Sequence, residues 1–168
     1  MNISRRSFIF VGAAGAAALL VARLVPRGAP AADALGADGV AIMTAIAPAM
    51  LAGALPSEAT ERRDALRETL AGIERAVAGL APRAQGELAD LFSLLALAPA
   101  RWSLARTTAS WSDARPEDVG AFLARLRDSR IGLMRAAYDA LHQLVMAAWY
   151  GSPRAWASIG YAGPPMVG

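Results

Sequence analysis

The stretch that decides the fold class is Glu58–Leu80, EATERRDALRETLAGIERAVAGL. Its large apolar residues recur at spacings of 4, 3, 4 and 3; they are Leu66, Leu70, Ile73, Val77 and Leu80. This spacing places them on one face of an α-helix. Charged residues at i,i+3 and i,i+4, Asp64 with Arg67 and Glu58 with Arg62, favour a solvated opposite face. The sequence therefore predicts an amphipathic helix here.

Two neighbouring segments have helical patterns as well. VAIMTAIAPAML (40–51) predicts a short apolar helix that Pro48 kinks or ends early. Ser57 is the expected N-cap of the helix that follows, and Gly79 and Pro82 close it. AQGELADLFSLLALAPAR (84–101) predicts a third helix that ends at Pro99. Its inward-facing residues are expected to be Leu88, Leu91, Phe92 and Leu95.

The segment 99–116 is less regular and predicts a loop or a short helical turn. Ser112 or Asp113 can cap the helix after it, and Pro116 suits a first helical turn. Two apolar series follow, which predict one long helix or two helices separated near Ser129–Gly132. The series are Val119, Phe122, Leu123 and Leu126, then Ile131, Met134, Tyr138, Leu141, Val145 and Trp149. Gly151-Ser152-Pro153 ends this region.

No stretch alternates as a strand does, so the predicted class is all-α, an antiparallel bundle of four or five helices with an irregular C-terminal tail. The expected organisation is a signal peptide over 1–31, a flexible tether over 32–38, a helical domain over 39–150 and a tail over 151–168.

The N-terminus has the order of a twin-arginine export signal. Arg5, Arg6 and Phe8 precede an apolar, Ala/Gly-rich run that ends at Ala22. The run from residue 8 to residue 22 is shorter than the roughly 20 residues that a membrane-spanning helix needs. Ala29-Pro30-Ala31 offers a cleavage site. The alternative is an uncleaved membrane anchor.

The charge of the chain changes once this leader is set aside. All 17 basic residues are arginines, and four of them precede the proposed cleavage, which leaves 13 against 14 acids. A nearly neutral mature chain gives no reason to expect a nucleic-acid partner. The sequence has no cysteine and one histidine, which excludes thiolate metal sites and bis-histidine haem.

Three groups of residues could carry chemistry, and each has a simpler interpretation. His142 with Asp139 could form a general base, although a histidine beside Leu141 and Val145 is more often a residue at the edge of the core. Glu87 and Asp90 could form a carboxylate pair but are more typical of the solvent-exposed face of a helix. The methionines 43, 50, 134 and 146 could ligate haem iron but suit gap-filling in a core. We predict no catalytic, cofactor-binding or metal-binding residue.

The last eighteen residues, GSPRAWASIGYAGPPMVG, combine rigid aromatic residues with glycine and proline. Such a composition is typical of a segment that lies across another surface, either its own bundle or a partner. The residues we expect to dock are Trp149, Tyr150, Trp156, Ile159, Gly160, Tyr161 and Pro164.

Parts of the chain resemble a known family. Arg5 and Arg6, RWSLA (101–105), FLARLRDSR (122–130) and AWYGSPRAWASIGYAGPP from Ala148 resemble small twin-arginine-signal subunits of periplasmic glucose-methanol-choline-type flavin dehydrogenases. The chain is also similar to the gluconate 2-dehydrogenase subunit 3 family, whose members end in a Trp, Ile-Gly-Tyr and Pro-Gly pattern. Ala162 stands where that pattern has proline.

The resemblance implies a function. In such complexes a large subunit binds FAD and lacks an export signal, the small subunit supplies the signal to the twin-arginine translocase, and a cytochrome c subunit commonly takes the electrons. The expected function is then a noncatalytic periplasmic small subunit that assists export and assembly. The alternatives are a stand-alone periplasmic helical protein that binds an apolar ligand and a hydrolase centred on His142.

Overall fold

The computed structural model describes residues 35–97, 110–158 and 160–162. Six α-helices and one short 3-10 helix make up the regular structure of these residues, and no strand occurs among them. The helices are α1 (Gly36–Met50), α2 (Ala59–Ala78), α3 (Pro82–Ala96), α4 (Pro116–Arg127), α5 (Gly132–Tyr150) and α6 (Pro153–Ser158), and the 3-10 helix is Trp111–Asp113. The all-α prediction is confirmed for the described residues.

Helix α1 lies at the centre and contacts α2, α3, α4, α5 and the 3-10 helix. A helix of such apolar composition is favoured in the interior, and Ile42, Met43, Ile46 and Ala47 are all fully buried. The helix begins at Gly36, three residues before the expected start of the folded domain, so residues 36–38 belong to a helix rather than to a tether. Pro48 lies inside its last turn, and the helix ends two residues later, as predicted.

The face that α2 buries differs in part from the predicted one. Ile73 and Val77 are buried, as predicted, but Ala65 and Thr69 are buried as well, whereas the predicted Leu66, Leu70 and Leu80 are only partly buried. Small residues let α2 come close to α5, and the Thr69 hydroxyl donates to the Ala65 carbonyl at 2.8 Å. The buried face is therefore centred on short side chains, with the leucines at its edges.

The start of α2 also differs from the prediction. Glu58, not Ser57, is the N-cap, and its carboxylate accepts from the backbone N–H of Glu61 at 2.7 Å. Hydrogen bonds from the backbone N–H groups of Thr60 and Glu61, with that of Thr60 the stronger influence, lower the pKa of Glu58. The Arg62 guanidinium donates to the carbonyls of Pro56 and Ser57 instead of pairing with Glu58. Asp64 and Arg67 do form the predicted ion pair, at 2.9 Å.

Trp111 closes the core on the side of α3 and α4. Its indole Nε1 donates to the Leu95 carbonyl at 2.9 Å, and its ring meets the edge of Phe122 at 5.3 Å between centroids. Phe92 and Leu95 of α3 are buried, and the predicted Leu88 and Leu91 are partly buried. Pro99 lies outside the described residues. The predicted short turn before α4 is this 3-10 helix.

Helices α4 and α5 are separate, which resolves the alternative of one long helix. Pro116 occupies the first turn of α4, as predicted, but neither Ser112 nor Asp113 caps it, because both belong to the 3-10 helix and Arg115 holds the N-cap position. The Ser110 hydroxyl is hydrogen-bonded to the side chains of Ser112 and Asp113. All four predicted core residues of α4 are buried. In α5, Leu141, Val145 and Trp149 are buried, but Ile131 is 59% exposed and precedes the helix.

Candidate functional site

A two-residue turn separates α5 from α6. The Gly151 N–H donates to the Ala147 carbonyl at 2.9 Å, and Pro153 then starts α6. The Ser152 hydroxyl donates to the carboxylate of Glu68 on α2, and Arg154 Nε donates to the other oxygen of that carboxylate at 3.1 Å. Ala155 of α6 is fully buried. Glu68 thus holds the start of the C-terminal segment against α2.

Three aromatic residues form what we call the C-terminal aromatic surface: Tyr150, Trp156 and Tyr161. The Trp156 indole N–H donates to the Tyr150 carbonyl at 2.7 Å, and the Tyr161 N–H donates to the Trp156 carbonyl at 2.9 Å. The rings of Trp156 and Tyr161 meet edge to face at 5.6 Å. Gly160 permits the turn between them because its φ is +69°. The segment is folded back on its own helix and still presents aromatic rings.

The predicted docking residues divide into three groups. Tyr150 and Tyr161 are 48% and 49% exposed, Trp156 is partly buried and Gly160 is exposed. Trp149 is only 3% exposed and belongs to the core, so its inclusion in a docking surface is wrong. Ile159 and Pro164 lie outside the described residues, as do the export-signal residues Arg5, Arg6 and Phe8.

His142 lies on a cleft of about 230 Å³ between α1, α4 and α5. Its ring stacks on Tyr138, with centroids 5.6 Å apart and planes 23° apart. Asp139 is exposed and makes no hydrogen bond to His142, so the predicted pairing of these two side chains is not present in the described structure. Arg127 lines the same cleft and pairs with Asp128 through Nε, at 2.9 Å.

The other candidate residues have structural roles. Glu87 forms an exposed ion pair with Arg83 at 3.1 Å, which agrees with its predicted place on the solvent-exposed face of the helix. Met43 is fully buried, and Met50, Met134 and Met146 pack against the core, as expected of gap-filling residues. Within 35–97 and 110–162, no group of three or more His, Asp or Glu side chains is placed to hold a metal ion. In the same ranges no helix is both long and apolar enough to cross a bilayer.

Two functional candidates were missed by sequence reasoning. Glu68 looked like one more charge on the solvated face of α2, and Arg127 like one of several arginines in FLARLRDSR. No local pattern marks either role, because Glu68 binds the distant C-terminal segment and Arg127 lines a cleft that three helices form. Comparisons with family models, curated proteins and solved structures found no match to this chain. The family resemblance therefore stays a prediction.

Proposed function

We propose that this chain is a noncatalytic small subunit of a periplasmic FAD-dependent dehydrogenase complex, which it supplies with a twin-arginine export signal. The observation that carries the proposal is a leader with Arg5 and Arg6 on a helical body that ends in an organised aromatic surface. In this proposal FAD belongs to a large glucose-methanol-choline-type partner, and a cytochrome c subunit accepts the electrons.

The C-terminal aromatic surface is the part of this proposal that the structure supports with contacts. Tyr150 and Tyr161 each leave about half of their surface exposed, although the backbone around them is held by hydrogen bonds. Rigid aromatic residues lose little conformational entropy on binding and are enriched at protein interfaces. We propose that this surface, extended by Ile159 and Pro164, docks on the flavoprotein while the helices form an antiparallel bundle behind it.

Capture of the C-terminally tagged chain from its native host tests the docking. The expected result is co-elution of a large FAD protein that has no export signal of its own, seen by flavin absorbance and mass spectrometry. Replacement of both Tyr150 and Tyr161 by alanine should reduce the flavin recovered at least tenfold. Leu133→Ala is the matched control, because Leu133 is 66% exposed and lies at the start of α5.

The export role needs a separate test. Arg5→Lys combined with Arg6→Lys should leave both this chain and the flavoprotein in the cytoplasm, whereas Arg23→Lys with Arg27→Lys should leave export unchanged. A chain that elutes alone and colourless, or a flavoprotein that is exported equally without this leader, would overturn the proposal. The first outcome would favour a stand-alone periplasmic protein that binds an apolar ligand.

A further inference from the structure

The cleft beside His142 is lined by both apolar and polar side chains. The apolar ones include Ala49 and Met50 at the end of α1 and Leu123 of α4. The polar side chains are Arg127, Tyr138 and His142, which can all donate hydrogen bonds. No carboxylate lines the cleft among the described residues. A ligand that fits this lining combines a hydrogen-bond acceptor group with apolar atoms.

Gly120 leaves this cleft open from the side of α4. A glycine inside a helix costs about 1 kcal/mol relative to alanine. Close packing does not require a glycine here, because a Cβ at residue 120 would meet no atom within 4 Å. The backbone does not require one either, because the φ angle of Gly120 is not positive. Its one structural consequence is that no side chain fills the cleft at this position.

The Arg127 guanidinium has more N–H donors than its contacts within the protein use. It donates to Asp128 through Nε and Nη2, at 2.9 and 3.2 Å, and Tyr138 is a further hydrogen-bonding neighbour, so part of its set of five N–H groups stays available to a ligand. This ion pair is exposed on both sides, so water and competing anions weaken it. The His142 imidazole stacks on Tyr138 and makes no hydrogen bond within the described part of the chain.

We propose that this cleft binds a small organic acid, with its carboxylate against Arg127 and His142 and its apolar part against Met50 and Leu123. Charge-assisted hydrogen bonds to a carboxylate are stronger than those to a neutral acceptor. The volume of about 230 Å³ is below the roughly 300 Å³ at which drug-sized pockets begin, so the ligand is small. The site is independent of the proposed docking of a flavoprotein.

Titration of the purified full-length chain with benzoate tests the site. His142 is the one histidine of the sequence, so its ring signals in an NMR spectrum are unambiguous when the affinity tag contains no histidine. Benzoate should shift these signals and saturate, with a dissociation constant on the order of 1 mM. Benzyl alcohol, which has the same ring without the charge, should bind at least tenfold more weakly.

Two variants and one control locate the binding. Gly120→Leu should fill the cleft and weaken benzoate at least tenfold, and Arg127→Gln should do the same by removing the charge. Gly86→Leu is the matched control, because Gly86 also lies inside a helix with no atom within 4 Å of an added Cβ but lines no part of the cleft. Circular dichroism and Tm verify that each variant is folded.

Three results would overturn the proposal. The His142 signals could fail to saturate with benzoate, benzyl alcohol could bind as tightly as benzoate, or Gly120→Leu could bind benzoate like the wild type. If Gly120→Leu does not fold, the affinity of Arg127→Gln for benzoate is the deciding result, and a value equal to that of the wild type would overturn the proposal. This variant should fold, because the Arg127 side chain is 58% exposed and lies outside the core.

Discussion

Gly72 of α2 faces Ala148 of α5 so closely that a Cβ on residue 72 would lie 3.0 Å from the Cβ of Ala148. The contact between these two helices is the most extensive helix pair among the described residues, and their close approach explains why α2 buries Ala65 and Thr69 rather than its leucines. A glycine that is unfavourable for an isolated helix is thus required by the contact between two helices.

We expect Gly72→Leu to lower the free energy of unfolding by roughly 1–3 kcal/mol, because the larger side chain must push α5 away from α2. Urea denaturation measures the change. Gly86→Leu is the control, since it adds the same side chain where space is free. It should be neutral or should stabilise by up to about 1 kcal/mol through helix propensity. Equal effects of the two substitutions would contradict this account of Gly72.

Trp111→Phe should lower the free energy of unfolding by about 1–3 kcal/mol. The substitution keeps an aromatic ring near Phe122 but leaves the buried carbonyl of Leu95 without its hydrogen bond. Trp156→Phe removes a hydrogen bond of the same kind to the Tyr150 carbonyl at an exposed site, where water can replace it. We expect this second change to cost less than about 1 kcal/mol, again by urea denaturation.

The contact of Glu68 with the C-terminal segment should depend on pH. The Ser152 hydroxyl, followed by the Arg154 guanidinium, lowers the pKa of Glu68 below its ordinary value of about 4.5. Its stabilising contribution is therefore fully present above about pH 4.5 and is lost as the pH falls through the lower pKa of the folded state. Both partners of the ion pair are about 40% exposed, so water screens it and limits the contribution to at most about 1 kcal/mol.

The measurement is the stability difference between the wild type and Glu68→Gln at pH 7 and at pH 3. This difference should shrink at the lower pH. Glu87→Gln is the control, because its ion pair with Arg83 lies within α3 and does not involve the C-terminal segment. A difference that is independent of pH would contradict the role of the Glu68 carboxylate.

The N-cap of α2 gives a prediction that separates two neighbouring residues. Glu58→Ala should lower Tm, because the backbone N–H of Glu61 loses its acceptor. Ser57→Ala should leave Tm unchanged, since the Ser57 side chain does not cap the helix. Thermal denaturation followed by circular dichroism measures both. A larger loss in Ser57→Ala would restore the assignment made from sequence.

The amino-acid sequence by itself determined the helical character of the described chain and several helix ends. Spacings of three and four among apolar residues identify α2, α4 and α5, because the i to i+4 geometry of a helix is local. Pro116 and Gly151 mark a start and an end for the same reason, since each acts on its own turn. The sequence predicts every residue of the buried series of α4.

The tertiary structure alone decided which face of each helix is innermost and which distant residues meet. The shift of the buried face of α2 depends on the approach of Gly72 to Ala148. Glu68 contacts Ser152 and Arg154, which follow it in the sequence by 84 and 86 positions. The cleft beside His142 is formed by three helices. These features follow from how helices cross one another. The spacing of residues along one helix allows several crossing angles and does not specify which one forms or with which partner helix.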